Sequence, residues 1–446
     1  MFKKFYKKSW GHRILFGFLV AVATIVVLIL IALTPIGSGV LKKVLESKID
    51  RYIPQAQITY LDYGVNNFSL VIKKGHNILK VYGAVFPLSA MFDGNIEDLS
   101  ELSPYYQGKM NLSGKIYIDK ENVVIEGMSF FAQGYMNFIT RLNDDVILHA
   151  KGSDFDIQRL LYILKFDYPY ISGKTDIKID KNENSKFNVV FKSSGKYKKQ
   201  ISTDFKAITK VTMNHKNRFD FTSKIFSDVG DIDLSGKYLD GKWGYDFKSD
   251  DLSLGNMKPV LLYPFKGITS IHGSYESTNN ILKFKGRDFE GFYDNRIELT
   301  FNTDAKDFFR YIGIKQILNG HISGTLKINE KFGSFDIVSN DSKFLPNKTL
   351  KRLRYLIGID LSKEKTGKIF FKGYFDSKKA VFDMLSTNQN LSISIKKGVF
   401  TYPDNYKYIL YIRKGNKVYK IQVNNGRLRV LERRDFRERD NKVLVF

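Results

Sequence analysis

The sequence predicts a mainly β protein: an N-terminal transmembrane helix, then an elongated, repetitive antiparallel sheet with a few short helices. Two observations predict it. Ile14 to Leu33 reads ILFGFLVAVATIVVLILIAL, twenty residues without a charge. At about 1.5 Å per residue, such a helix spans roughly 30 Å, the hydrocarbon thickness of a bilayer. From Ile58 onward, apolar residues recur with period two, as in strands with one apolar and one wet face.

Residues 1–13 form a basic tail with Lys3, Lys4, Lys7, Lys8 and Arg13 and no acid. Beyond the span, Lys42, Lys43, Lys48 and Arg51 are offset by Glu46 and Asp50. The positive-inside rule therefore places the N-terminus in the cytoplasm and the bulk of the chain outside it. A cleaved signal peptide has a shorter apolar region, and Gly37-Ser38-Gly39 is only a weak cleavage site. In the segment 34–54, Thr34-Pro35-Ile36-Gly37 breaks the span. Val40, Leu41, Val44, Leu45, Ile49, Tyr52 and Ile53 then recur at helical spacing. This amphipathic helix, ending at Pro54, either covers the end of the following sheet or lies on the outer leaflet. We expect the first, because a helix beside a sheet usually covers an edge.

Net charge is +25, of which +5 sits in the tail, leaving +20 for residues 38–446. Long domains translocate largely regardless of charge. Basic bulk outside the cytoplasm, with no helix-turn-helix or RNA-binding signature, argues against nucleic acid as a partner. There is no cysteine, so no disulfide framework is expected.

Residues 55–426 carry the alternation. It is plain in Lys115-Ile116-Tyr117-Ile118, Asp176-Ile177-Lys178-Ile179, Phe187-Asn188-Val189 with Phe191, Tyr245-Asp246-Phe247, Leu326-Lys327-Ile328 and Leu391–Ile395. Turn clusters such as Lys181–Asn184 and Leu239-Asp240-Gly241 separate the runs, as in successive hairpins. A phrase recurs: Leu112-Ser113-Gly114-Lys115, Ile171-Ser172-Gly173-Lys174, Leu234-Ser235-Gly236-Lys237, Ile271-His272-Gly273-Ser274 and Ile322-Ser323-Gly324-Thr325, with Phe371-Lys372-Gly373-Tyr374 a looser copy. Each is expected to open a strand. Short helical segments precede several copies: Gln158–Phe166, Met257–Leu262, Asp307–Leu318 and Leu350–Ile359. The slot near residue 223 has none. Glycine spacings of 51, 49 and 100 describe a degenerate repeat of about fifty residues.

This rhythm of Asp-[Phe/Leu]-x-[Ile/Leu], short helix, proline, glycine and alternating strands resembles the AsmA-like family of bacterial envelope proteins, across nearly the whole chain. The resemblance implies one inner-membrane helix and a periplasmic sheet folded along its axis into a trough with an apolar interior. It also implies phospholipid carried from the inner toward the outer membrane, with other envelope proteins as partners. On that reading the apolar strand faces meet lipid. The candidate contacts are Ile116, Ile118, Ile177, Ile179, Phe187, Val189, Phe191, Tyr245, Phe247, Leu326 and Ile328. A membrane-tethered assembly scaffold with a closed β core is the other reading. Both need the same alternation.

No catalytic, metal or cofactor residue is expected. The six histidines show no i, i+2 or i, i+4 pair, and neither HExxH nor GxSxG occurs. Gly173-Lys174-Thr175 lacks the glycine of a phosphate loop five residues earlier, where Tyr168 stands. Asp154 and Asp156 share a strand face but sit where helix caps belong. Asp144-Asp145 and Asp250-Asp251 read as turns. The charged segment 427–446 reads as a solvated tail, the other reading being a contact with a partner or with anionic lipid head groups, and Val443–Phe446 could pair as a last strand.

Overall fold

The computed structural model describes residues 38–436 apart from 52, 65, 121, 143–144, 184–185, 216–217, 389 and 403–404. The tail 1–13 and the apolar run Ile14–Leu33 lie outside the described residues. Among those described, no helix is long and apolar enough to cross a membrane. The strands pair antiparallel, successive hairpins in chain order through residues 57–227 and again through residues 242–435. Contacts divide the chain into two units. One runs to Ser227 and includes Asp233–Trp243; the other takes Asp228–Ile232 and Gly244 onward.

In the first unit, helix α1 (Ser38–Asp50) leads into β1 (Gln57–Tyr63), β2 (Asn67–Lys74), β3 (Asn77–Ala84), β4 (Ser89–Ile96), β5 (Met110–Asp119), β6 (Asn122–Phe131), β7 (Gly134–Leu142) and β8 (Val146–Asp156). Helix α2 (Ile157–Ile163) follows, then β9 (Ile171–Lys181), β10 (Phe187–Lys198), β11 (Ser202–His215), β12 (Arg218–Ser227) and β13 (Ile232–Leu239). Helix α1 ends at Asp50, earlier than Pro54. It covers the sheet: Leu45 and Ile49 are buried against Ile58, Phe68, Leu70, Val81 and Phe92. Two polar ties fix it there. The Ile58 N–H donates to Glu46 and the Gln55 N–H to Asp50.

The second unit contains β14 (Lys242–Ser253), α3 (Lys258–Leu261), β15 (Ile268–Glu276), β16 (Ile281–Gly286), β17 (Phe289–Tyr293), β18 (Ile297–Asp304), α4 (Ala305–Tyr311), β19 (Leu318–Ile328) and β20 (Gly333–Phe344). Next come α5 (Lys348–Ile357), β21 (Lys368–Phe375), β22 (Lys379–Thr387), β23 (Leu391–Thr401), β24 (Asn405–Lys414), β25 (Lys417–Asn424) and β26 (Arg427–Asp435). Helix α5 starts on Asn347, whose side chain accepts from the Leu350 N–H, and stops at Gly358, φ +74°. Its Leu353 and Ile357 are buried with Ile369, Ile393, Ile412 and Ile421, so α5 covers the last strands as α1 covers the first.

The structure corrects several expectations. Helices occupy the anticipated slots, but α4 stops at Tyr311, and Leu318 already starts β19. The repeated phrase sits inside its strand, except at Ile171, which opens β9. Its glycine has a packing role there. A Cβ on Gly273 would lie 2.7 Å from the Phe247 ring and 2.1 Å from the Lys283 carbonyl. On Gly114 it would lie 2.7 Å from Phe92. At both positions the glycine makes room for a neighbouring strand's aromatic to lie across it, whereas at Gly173 the neighbouring backbone of Ser194 and Gly195 takes the space. Residues Arg427–Asp435, expected in a solvated tail, pair with β25 as β26. Leu428 and Val430 face the second unit's core, so the strand's apolar positions outweigh its charge. Asp250-Asp251 lies at an irregularity in β14, not in a turn.

One pH-dependent contribution follows from the packing. Tyr408 packs beside Tyr406, rings 6.1 Å apart, against the core under α5. Burial first, and then Tyr406, push its phenol up to about 12. An unfolded phenol titrates near 10. Above that pH the unfolded chain has lost a proton that the folded chain keeps, so stability falls as pH rises from about 10 to 12. Thermal unfolding across that range should show a smaller alkaline loss in Tyr408→Phe than in wild type. Equal losses would contradict the assignment.

Candidate functional site

The site is a face, and cross-strand register builds it. Directly opposed residues point to the same side of a sheet. In the first unit, Leu61, Leu70, Val81, Phe92, Gly114, Gly127, Phe138, Ala150, Ile179, Val189, Val211 and Phe221 are opposed in turn from β1 to β12. This apolar row is uninterrupted. Its cover is not. Helix α1 closes its start. Helix α2 packs on β8 and β9, where Phe155, Ile177 and Val189 are buried and Leu160 and Ile163 pack against them. Beyond α2, Phe219, Phe221, Ile225, Leu234 and Tyr238 are half-buried and belong to no hydrophobic cluster of this unit. Phe219 and Tyr238 stack at 4.9 Å, and the Trp243 ring meets Phe219, Phe221 and Tyr238.

The second unit repeats the pattern. Phe247, Gly273, Phe284, Gly291, Leu299, Leu326, Phe335, Gly373 and Phe382 form one row. Phe289, Phe301, Gly324, Ile337, Phe371, Met384, Ile395, Leu410, Ile421 and Val430 form another. From Met384 to Ile421 the second row is buried. Over β14–β18, Tyr245, Phe247, Ile271, Tyr275, Leu282, Phe284, Phe289 and Leu299 are half-buried and outside both clusters of the unit. Tyr245 stacks on Tyr275 at 5.0 Å, and burial, then Tyr275, raises its phenol pKa. Apolar surface left wet loses about 25 cal/mol per Å² that a ligand's chains would recover.

The expected contact residues fall into three groups. Ile116, Ile177, Val189 and Ile328 are buried by the chain's own packing. Ile179, Phe187, Phe191, Tyr245, Phe247 and Leu326 are half-buried, and Ile118, near the end of β5, is 51% exposed. Register brings Ile177 opposite Phe191 and Ile179 opposite Val189. The sequence reading missed Phe219, Phe221, Phe284, Phe289 and Leu299. The signal existed in Leu282-Lys283-Phe284-Lys285, which alternates, but β16 and β17 are short and broken by glycines.

The charged groups are otherwise engaged. Asp156 caps α2 by accepting from the Arg159 N–H, while Asp154 pairs with Lys174 at 3.1 Å. Asp250 pairs with Lys248, and Asp251 accepts from the Asp231 N–H. His149 and Lys178 share Asp180 at 3.1 and 2.7 Å, and Lys178 first, then His149, holds that carboxyl below its ordinary value. Asp180 and its partners line an open depression of about 650 Å³ on the wet face, beside the Lys115–Glu126 pair at 2.6 Å. Among the described residues, no group of three or more His, Asp or Glu is placed to hold a metal. Comparison with protein-family models and with curated proteins finds no match.

Proposed function

We propose that this chain is a single-span, membrane-anchored envelope protein that binds or conducts phospholipid along its apolar sheet face, from the inner toward the outer membrane. The carrying observation is the uncovered stretch: apolar rows run across the strands, helices cover only parts of them, and aromatic and aliphatic side chains in between stay half-exposed. Acyl chains would lie along that face while head groups remain in water. The step is passive: tails exchange one set of apolar contacts for another. The run Ile14–Leu33 supplies the anchor on this reading, with the N-terminus cytoplasmic and the sheet curled into a periplasmic trough, as the AsmA-like resemblance implies. A scaffold with a closed core would need β14–β18 covered, and their half-exposure favours the lipid reading.

Phe284→Glu tests it. Phe284 lies between Gly273 and Gly291, and His272 on the same hairpin is exposed. A carboxylate at 284 reaches water but repels tails, so co-purified phospholipid per protein should fall several-fold while stability changes by about 1–2 kcal/mol. His272→Glu should leave both unchanged. Wild-type protein that never carries phospholipid, with Phe284→Glu unfolded as burial in a closed core would require, would overturn the reading.

A further inference from the structure

A second apolar feature lies away from the strand faces. The segment Leu164-Lys165-Phe166-Asp167-Tyr168-Pro169-Tyr170, between α2 and β9, is exposed at every residue. Tyr162, just before it, is 58% exposed, and Phe166 is 57% exposed. The β4–β5 connection adds Tyr105, also exposed. These are not slack loops. The Gln107 N–H donates to the Ile163 carbonyl at 3.0 Å, the Gln107 side-chain amide to the Tyr162 carbonyl at 2.8 Å, and Lys165 Nζ to the Pro104 carbonyl at 2.6 Å. Within the turn, the Phe166 N–H donates to the Leu161 carbonyl, and Tyr168 and Tyr170 meet edge-to-face at 5.4 Å. The backbone thus holds aromatic side chains out in water.

The surrounding charge is positive. Arg159, Lys165, Lys198 and Lys199 are exposed around the segment, against Asp167 and against Asp98, whose carboxylate lies within reach of Lys165's charge. Lys199 Nζ lies 5.0 Å over the Tyr170 ring, and the Lys198 N–H donates to the Tyr170 carbonyl. Tyrosines with a wet tip and an apolar body, interleaved with lysine, suit the head-group layer of a bilayer. Position agrees. Consecutive strands alternate in direction, so both loops lie at the end of the sheet where α1 enters β1. Helix α1 begins within a few residues of the apolar run.

We infer that the paired loops 102–108 and 162–170 dock on an anionic phospholipid surface and hold this end of the first unit against the anchoring membrane. The inference takes only the anchor from the proposed function, not the acyl-chain face.

The chain has no cysteine, so one introduced by Phe166→Cys carries an environment-sensitive fluorophore cleanly. The full chain is reconstituted in phosphatidylglycerol/phosphatidylethanolamine vesicles, and retention after a carbonate wash reports the anchor by itself. On retained protein, the label at position 166 should emit to the blue and be quenched by lipid spin-labelled near the head group. A label introduced by Lys210→Cys, exposed on β11, should remain water-like. Lys165→Gln with Lys198→Gln and Lys199→Gln should weaken the quenching by roughly fivefold per lysine, as should neutral vesicles. A water-like label at 166 on retained protein overturns the inference. So does quenching indifferent to anionic lipid and to the lysines. A blue shift that follows protein density without lipid quenching assigns the patch to a second copy instead.

Discussion

Phe155→Ala should destabilise the first unit by about 3–5 kcal/mol, the range for emptying a buried phenylalanine site. Phe155 is fully buried at the end of β8, with the Phe131 ring 4.8 Å away. It fills space that two glycines leave open: a Cβ on Gly134 or Gly152 would lie 2.5–2.6 Å from its ring. Ile177, Val189 and the α2 residue Leu160 complete the cluster. Backbone glycines cannot move inward to refill the site, so collapse recovers little of the loss. For a unit of this size the shift is on the order of 10 °C in thermal midpoint. Phe155→Leu keeps much of the volume and should cost less than half as much. If both variants melt with wild type, this cluster is not what holds α2 to the sheet.

Lys181→Met should cost a similar amount for a different reason. Lys181 closes β9 with its side chain 4% exposed, paired at 2.9 Å to Asp145, itself 12% exposed. Its ammonium also donates to the Val146 carbonyl at 2.6 Å, and the Phe187 ring lies 5.9 Å away. Removing the ammonium takes from Asp145 its charged partner and leaves it the Val146 N–H, which accounts for a cost of up to about 3–5 kcal/mol for breaking a buried pair. The pair as a whole is worth far less than that. Lys181→Met with Asp145→Asn should therefore be more stable than Lys181→Met alone, by more than about 1 kcal/mol. A double variant no better than the single would show that Asp145 reaches water easily and that the pair is only a surface contact.

Much of the architecture was legible in residue order. Period-two alternation marked the strands, and turn clusters the hairpins. Proline, aspartate and helical spacing marked the slots of α2 to α5. These signals are local: a strand's face is set by its own sequence, and a cap by the residue that supplies it. The segment Arg427–Asp435 shows the limit. Its charges read as solvated, yet Leu428 and Val430 had a core to meet, and only the arrival of β25 beside them made a strand.

The sequence by itself determined that the strands would carry one apolar face and that helices would interrupt them. Tertiary structure decided where that face is covered. Val189 and Phe247 both stand on the apolar side of an alternating run, but α2 helps bury the first while the second stays half-exposed on β14. Ile116 and Ile118 share a face two residues apart, and one is sealed while the other is open. Alternation fixes the side to which a residue points, because the pleat has period two. What lies on that side comes from segments tens of residues away, brought there by register and by helices crossing the sheet. No local pattern records it, and it separates a buried core from an apolar surface left open.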